Sequence, residues 1–190
     1  MIVVDGGSED RTADLAAPRA DRVLVAPRGR ARQMNAGAAA ASGEAVVFLH
    51  ADTRLPERAD DAVSAALAGR DWGRFDVAIE GDSPLLAVIA RFMNWRSRLT
   101  GIATGDQAIF VRRAAFRGFP DIPLMEDVAF CREMNLRSPP ACLPLLAVTS
   151  GRRWERGGVL RTVLLMWRLR LAYRFGVPTD ELARRYARNS

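Results

Sequence analysis

Short, continuously apolar runs alternate along this chain with stretches whose apolar residues recur every three or four positions. Ile2–Val4, Arg22–Ala26 and Ala45–Leu49 are of the first kind. Two of them end in polar turns, Asp5-Gly6-Gly7-Ser8 and His50-Ala51-Asp52-Thr53. Runs of this length and composition predict strands buried on both faces. Between them, Thr12–Ala17, the Ala-rich Arg30–Ala41 and Glu57–Ala68 predict helices, the last two closed by Ser42-Gly43 and by Gly69. This order predicts an α/β protein with a mostly parallel central sheet and helices on both faces. Past Gly69 the order becomes mixed. Arg74–Ile79, Ala108–Arg112 and Ala141–Thr149 predict strands, the last interrupted by Pro144. Leu85–Leu99 and Glu126–Leu136 predict helices, followed by Val159–Phe175 and Thr179–Ala187 on either side of Gly176-Val177-Pro178.

Composition narrows the class. The chain has 190 residues, 49% of them apolar and 26% charged, which suits one folded domain and excludes disordered or collagen-like chains. No apolar run reaches the roughly 18–20 residues that span a bilayer, and the opening Met-Ile-Val-Val-Asp reads as a strand, not a signal sequence. Cys131 and Cys142 are too few for a disulfide framework or a zinc site, so a reducing, cytoplasmic setting is expected. All 28 basic residues are Arg, which we read as a coding bias. Their distribution says more: Ser150–Ser190 holds ten Arg against Glu155, Asp180 and Glu181, so the remainder is almost neutral. The expected organisation is a domain over residues 1–150 and a basic helical extension over 151–190.

In parallel α/β sheets, ligands bind beyond the carboxyl ends of strands. Asp5 and Asp52 follow predicted strands, and Asp127 opens a predicted helix. Read alone, each has a plain structural role: Asp5 and Asp52 as helix caps, and Glu126-Asp127 as an acidic pair favouring a helix N-terminus.

Together with their neighbours, these residues resemble a known family. The pieces are Val3-Val4-Asp5-Gly6-Gly7-Ser8-Glu9-Asp10, Arg28–Ala38, Phe48-Leu49-His50-Ala51-Asp52-Thr53, Thr104-Gly105-Asp106-Gln107, Met125-Glu126-Asp127 and Arg152-Arg153-Trp154. In this order they resemble the family 2 glycosyltransferases of the Rossmann-like GT-A fold, in particular a small bacterial subgroup. The resemblance implies inverting transfer of a sugar, a hexose, from a UDP- or GDP-linked donor to an acceptor hydroxyl. It places Asp5 and Gly6 at the nucleobase, Arg32 near the base or diphosphate, and Ala51 and Asp52 at the donor. Asp52, with His50 where the family has a first Asp, implies a divalent cation, Mn²⁺ or Mg²⁺. Asp127 matches the catalytic base, with Glu126 raising its proton affinity. Gly105, Asp106 and Gln107 match a sugar or acceptor loop, and Arg153 and Trp154 a motif at the diphosphate or acceptor. A turn before a strand and a core tryptophan are the structural alternatives for these last two pieces.

Members of the family carry a further strand and helix ahead of the Val-Val-Asp strand, so the chain is expected to start inside their second strand. The strands ending at Asp5 and Asp52 would then lack a shared neighbour, and part of the base-binding wall with it. Val159–Phe175 places Leu160, Val163, Leu164, Trp167, Leu171 and Phe175 on one stripe bordered by Arg. That suits either an interfacial helix on an anionic membrane or a packed helix with snorkelling Arg stems. A lipid-linked or hydrophobic acceptor at the inner face of the membrane is therefore expected. The alternative is a catalytically degenerate protein binding a membrane, or less readily nucleic acid, through its basic tail. A dinucleotide site is disfavoured because Asp5-Gly6-Gly7-Ser8 lacks the Gly-x-Gly-x-x-Gly spacing.

Overall fold

The structure is a computed structural model and describes residues 1–188. The last two positions of the predicted tail lie outside the described residues. The first half runs β1 (Ile2–Asp5), α1 (Thr12–Ala16), β2 (Arg22–Val25), α2 (Arg30–Ala40), β3 (Ala45–Val47), β4 (Thr53–Arg54) and α3 (Ala59–Leu67). There follow β5 (Trp72–Glu80), α4 (Leu85–Thr100), β6 (Phe110–Arg112), α5 (Glu126–Asn135) and β7 (Ala141–Ser150). The chain closes with α6 (Arg152–Gly157), α7 (Val159–Arg174) and α8 (Thr179–Ala187).

The strands form two sheets. β1 and β2 make a parallel pair, and the other five take the order β3-β6-β5-β7-β4. The α/β class with closing helices holds, but the larger sheet is mixed instead of mostly parallel. Only β5–β7 runs parallel in it, while β3–β6, β5–β6 and β4–β7 are antiparallel. The reason lies past Gly69, where β6, after α4 and a loop, runs antiparallel to both of its neighbours, β3 and β5. Register between β5 and β7 shifts at Phe75/Asp76, where Leu143 and Leu146 are successive partners. Pro144, with no N–H to give a ladder, lies in the skipped segment.

α2 connects the two sheets. Its Ala31 and Ala38 belong to the core that holds Val46, Phe48, Trp72 and Phe130. On its other flank the Gln33 side-chain amide donates to the Val4 carbonyl at 3.0 Å. Aromatic rings fill the centre: Phe119 lies 4.8 Å from Phe48 and 4.5 Å from Phe130 between ring centroids. A second core under α3 pairs Phe75 with Phe110, and a third joins Met125 and Val128 of the α5 region to Leu169 and Leu182. The basic closing helices therefore share a core with α5.

α4 is held to β5 by polar groups. Asn94 is buried, accepting from Val77 N–H at 2.9 Å and donating to its carbonyl at 3.0 Å. Beside it Arg74, 1% exposed, pairs with Asp76, which also takes two bonds from Arg98. Gln107, fully buried, donates to Asn94 Oδ1 and Ser97 Oγ.

Candidate active site

A cleft of about 340 Å³ opens where several chain segments end. The loop after β3 brings His50, Ala51 and Asp52 to it, and the turn before β6 brings Gly105 and Asp106. The first turn of α5 adds Glu126 and Asp127, and α6 adds Arg153 and Trp154.

Each segment is shaped locally. Met125, just ahead of α5, sits in the left-handed region at φ 71° although it carries a side chain. Such a backbone costs on the order of 1–2 kcal/mol, and here its buried side chain packs into the third core. The kink turns the first residues of α5 toward the cleft, as strained positions at functional sites do. Gly105 has a steric reason. A Cβ there would collide with the His50 ring, so the two loops meet with the ring in this position only through a glycine.

The charges divide by burial. Glu126 is 4% exposed, and burial followed by the Asp127 charge raises its pKa, despite Arg30 at 3.8 Å. Among the described residues Asp127 accepts only from its neighbour's N–H at 2.7 Å, so the rest of its carboxylate is available to the cleft. Asp106 faces His50 Nδ1 at 3.3 Å. Burial would raise its pKa, but the His50 hydrogen bond and the charges of His50, Arg30 and Arg153 outweigh it, and the net shift is downward. Arg153 stacks over the Tyr186 ring at 4.5 Å, and burial and Arg30 lower its pKa. Arg170 reaches the cleft from α7. Behind it the Arg96 pKa is pushed down to about 10 by burial and by Arg170, and Arg96 Nη2 is buried without a hydrogen-bond partner.

Of the residues singled out from sequence, nine line this cleft: His50, Ala51, Asp52, Gly105, Asp106, Glu126, Asp127, Arg153 and Trp154. Four do not. Asp5 is turned into its own loop, accepting from Ser8 Oγ at 2.5 Å and from the N–H groups of Ser8 and Gly7. These bonds, the Ser8 hydroxyl first, hold its carboxyl below the usual range. Gly6 packs beside Gln33. Arg32 pairs with Asp121 at 2.8 Å, and Gln107 serves the α4 network. The first turn of α2 lies between the Asp5-Gly6 loop and the cleft, since Arg30 lines the cleft and Gln33, one turn on, touches β1.

Sequence reasoning missed Arg30, Arg170 and Tyr186 as cleft residues. Arg30 stands inside the quoted Arg28–Ala38 stretch, whereas Arg170 and Tyr186 arrive only through the packing of α7 and α8 on α5.

A cation would find few protein donors here. Among the described residues no three His, Cys, Asp or Glu side chains are grouped to hold a metal. Asp52 faces the cleft, while His50 Nδ1 is engaged with Asp106. One or two carboxylates do suit a hard cation that takes its remaining ligands from water and substrate phosphate.

The chain's fold is similar to that of S. aureus TarS, residues 1–349, with a TM-score of 0.57 at 18% identity. The likeness covers 85% of this chain and 54% of the TarS chain, so this chain spans about half of that structure. No curated protein matches the chain. The profile described as Glycosyl transferase family 2 matches residues 1–116, the stretch from β1 through β6 that brings His50, Asp52 and Asp106 together. As this match covers more than half of the chain, the protein belongs to glycosyl transferase family 2.

Proposed function

We propose that the protein transfers a sugar, a hexose, from a UDP- or GDP-linked donor to an acceptor hydroxyl with inversion. The observation that carries the reading is the cleft itself. Asp127, with a carboxylate oxygen that has no hydrogen-bond partner among the described residues, lines it together with Asp52, Asp106, Arg30 and Arg153.

Asp127 takes the proton of the acceptor hydroxyl as that oxygen bonds to the anomeric carbon. The bond from that carbon to the diphosphate oxygen breaks, and the nucleoside diphosphate leaves with the electron pair. Glu126, buried and adjacent, raises the base's affinity for the proton by like-charge repulsion when it is ionised. Arg30 and Arg153 hold the diphosphate by charge-assisted hydrogen bonds. Asp52, flanked by His50, would hold Mg²⁺ or Mn²⁺, which when bound neutralises developing charge on the leaving group. Gly105 and Asp106 border the transferred sugar. The nucleobase end falls to Asp5 and Gly6, across the first turn of α2, and to Arg32 on that turn. The acceptor is hydrophobic or lipid-linked, and the setting is cytoplasmic, at the inner face of the membrane.

Thermal unfolding with a panel of nucleoside diphosphates, with and without Mn²⁺, tests the donor side. One nucleotide should stabilise the protein by about 3 kcal/mol at a hundredfold excess over its Kd, and Asp52→Ala should abolish the metal-dependent part. Absence of stabilisation by any nucleotide would contradict the reading.

A further inference from the structure

α4 leaves an apolar stripe uncovered. Its inward side carries buried Leu86, Ala90, Asn94 and Ser97 and is held to β5 through Asn94, whereas Val88, Trp95 and Leu99 are 63%, 58% and 66% exposed. With Leu85 and Phe92 these form a stripe at intervals of three and four residues, facing away from the core. α7 does the same: Leu160, Leu164, Trp167 and Leu171 are each more than half exposed at like spacing. The two stripes touch, with the Phe92 ring 5.8 Å from both Trp95 and Trp167. They make one continuous apolar platform, larger than the scattered apolar residues of an ordinary surface.

Its border is of one sign. α4 and α7 together carry seven Arg and no Asp or Glu. Arg91, Arg161, Arg168 and Arg174 are exposed and have no ion-pair partner among the described residues.

We infer that the α4–α7 platform seats the protein on an anionic lipid bilayer, with its aromatic and aliphatic side chains at headgroup depth and its arginines on lipid phosphates. Charge decides between occupants. A second copy meeting this face would set one arginine border against another, whereas an anionic leaflet complements it. Two exposed tryptophans in an apolar stripe suit the interfacial region. No helix among the described residues is long and apolar enough to cross a membrane, so the attachment lies on the surface. α7 also lines the cleft, through Thr162, Met166 and Arg170. Seating its outer face brings the cleft to the level of the headgroups, where a hydrophobic acceptor would be met. The docking itself rests on the two stripes and their border and does not depend on the cleft's catalytic reading.

Co-sedimentation of the full chain with vesicles of phosphatidylcholine alone, or with a third phosphatidylglycerol, tests this, with tryptophan emission read in parallel. Binding to the anionic vesicles is expected, with a blue shift from Trp95 and Trp167, and with partitioning falling at least about tenfold in high salt. The W95S/W167S variant, and separately R91E/R168E, should each lower partitioning about tenfold or more, while Leu136→Ser, on exposed surface elsewhere, should not. Asp127→Asn should bind like the wild type, so loss of catalysis and loss of docking stay distinguishable. Absent or salt-insensitive binding, or partitioning unchanged in both double variants, would overturn the inference. So would a wild-type dimer that W95S/W167S converts to monomer.

Discussion

Glu126 and Asp127 are adjacent in sequence and differ in almost everything else. The left-handed Met125 sends the first into the protein and leaves the second with a free oxygen at the cleft. The buried member has a measurable consequence. Its folded pKa is raised above the ordinary 4.5, so the native state holds a proton that the unfolded chain has already lost. Stability from this source is fully present below pH 4.5 and is lost as pH rises through the raised value. Urea unfolding from pH 4 to 7 should show wild-type stability declining relative to Glu126→Gln, and a difference flat or rising with pH would contradict it. Gly105→Ala gives a second test at this scale. The added Cβ must displace the His50 ring, and a displacement of about 1 Å near reacting groups costs roughly a hundredfold in turnover. The expected result is that loss with an unchanged unfolding midpoint. Asp52 and Asp127 were legible in the sequence because each sits in a short motif at an element's end. Arg170 and Tyr186 were not, because only the docking of two helices on α5 brings them near.

At the scale of elements, α4 and β5 form a joint to which the Gly105–Gln107 turn at the cleft is tied through Gln107. Arg74, Asp76 and Arg98 share one buried carboxylate, and Asp76 is the only negative charge among the three. Asp76→Ala leaves the 1% exposed Arg74 uncompensated, which should cost about 3–5 kcal/mol, or roughly 6–20 °C in midpoint by calorimetry. A change of under about 1 kcal/mol would show that water or Asn94 satisfies the guanidinium instead. Periodicity predicted α4 within one residue and the alternation from β1 to α3 within two, apart from the short β4, which it missed. It did not predict which way α4's apolar stripe would face, because spacing shows that a stripe exists and not what covers it. Nor did it predict the mixed sheet. The direction of β6 is set by a loop and by pairing with β3 and β5, contacts distant in the chain that no local pattern encodes.

Over the whole molecule, α2 holds the β1–β2 pair against the larger sheet, and the basic closing helices pack on α5 so that the cleft gains Arg153, Arg170 and Tyr186. Chemistry thus gathers where the family-matched region and the C-terminal helices meet. The stripe of α7 read from sequence is half of a larger surface completed by α4. Asp127 as the base in that cleft is tested most directly by release of nucleoside diphosphate from a nucleotide sugar by the wild type and by Asp127→Asn, with acceptor present. The rate should fall about 10²–10⁴-fold with nucleotide affinity retained; equal rates in the two proteins would contradict that role.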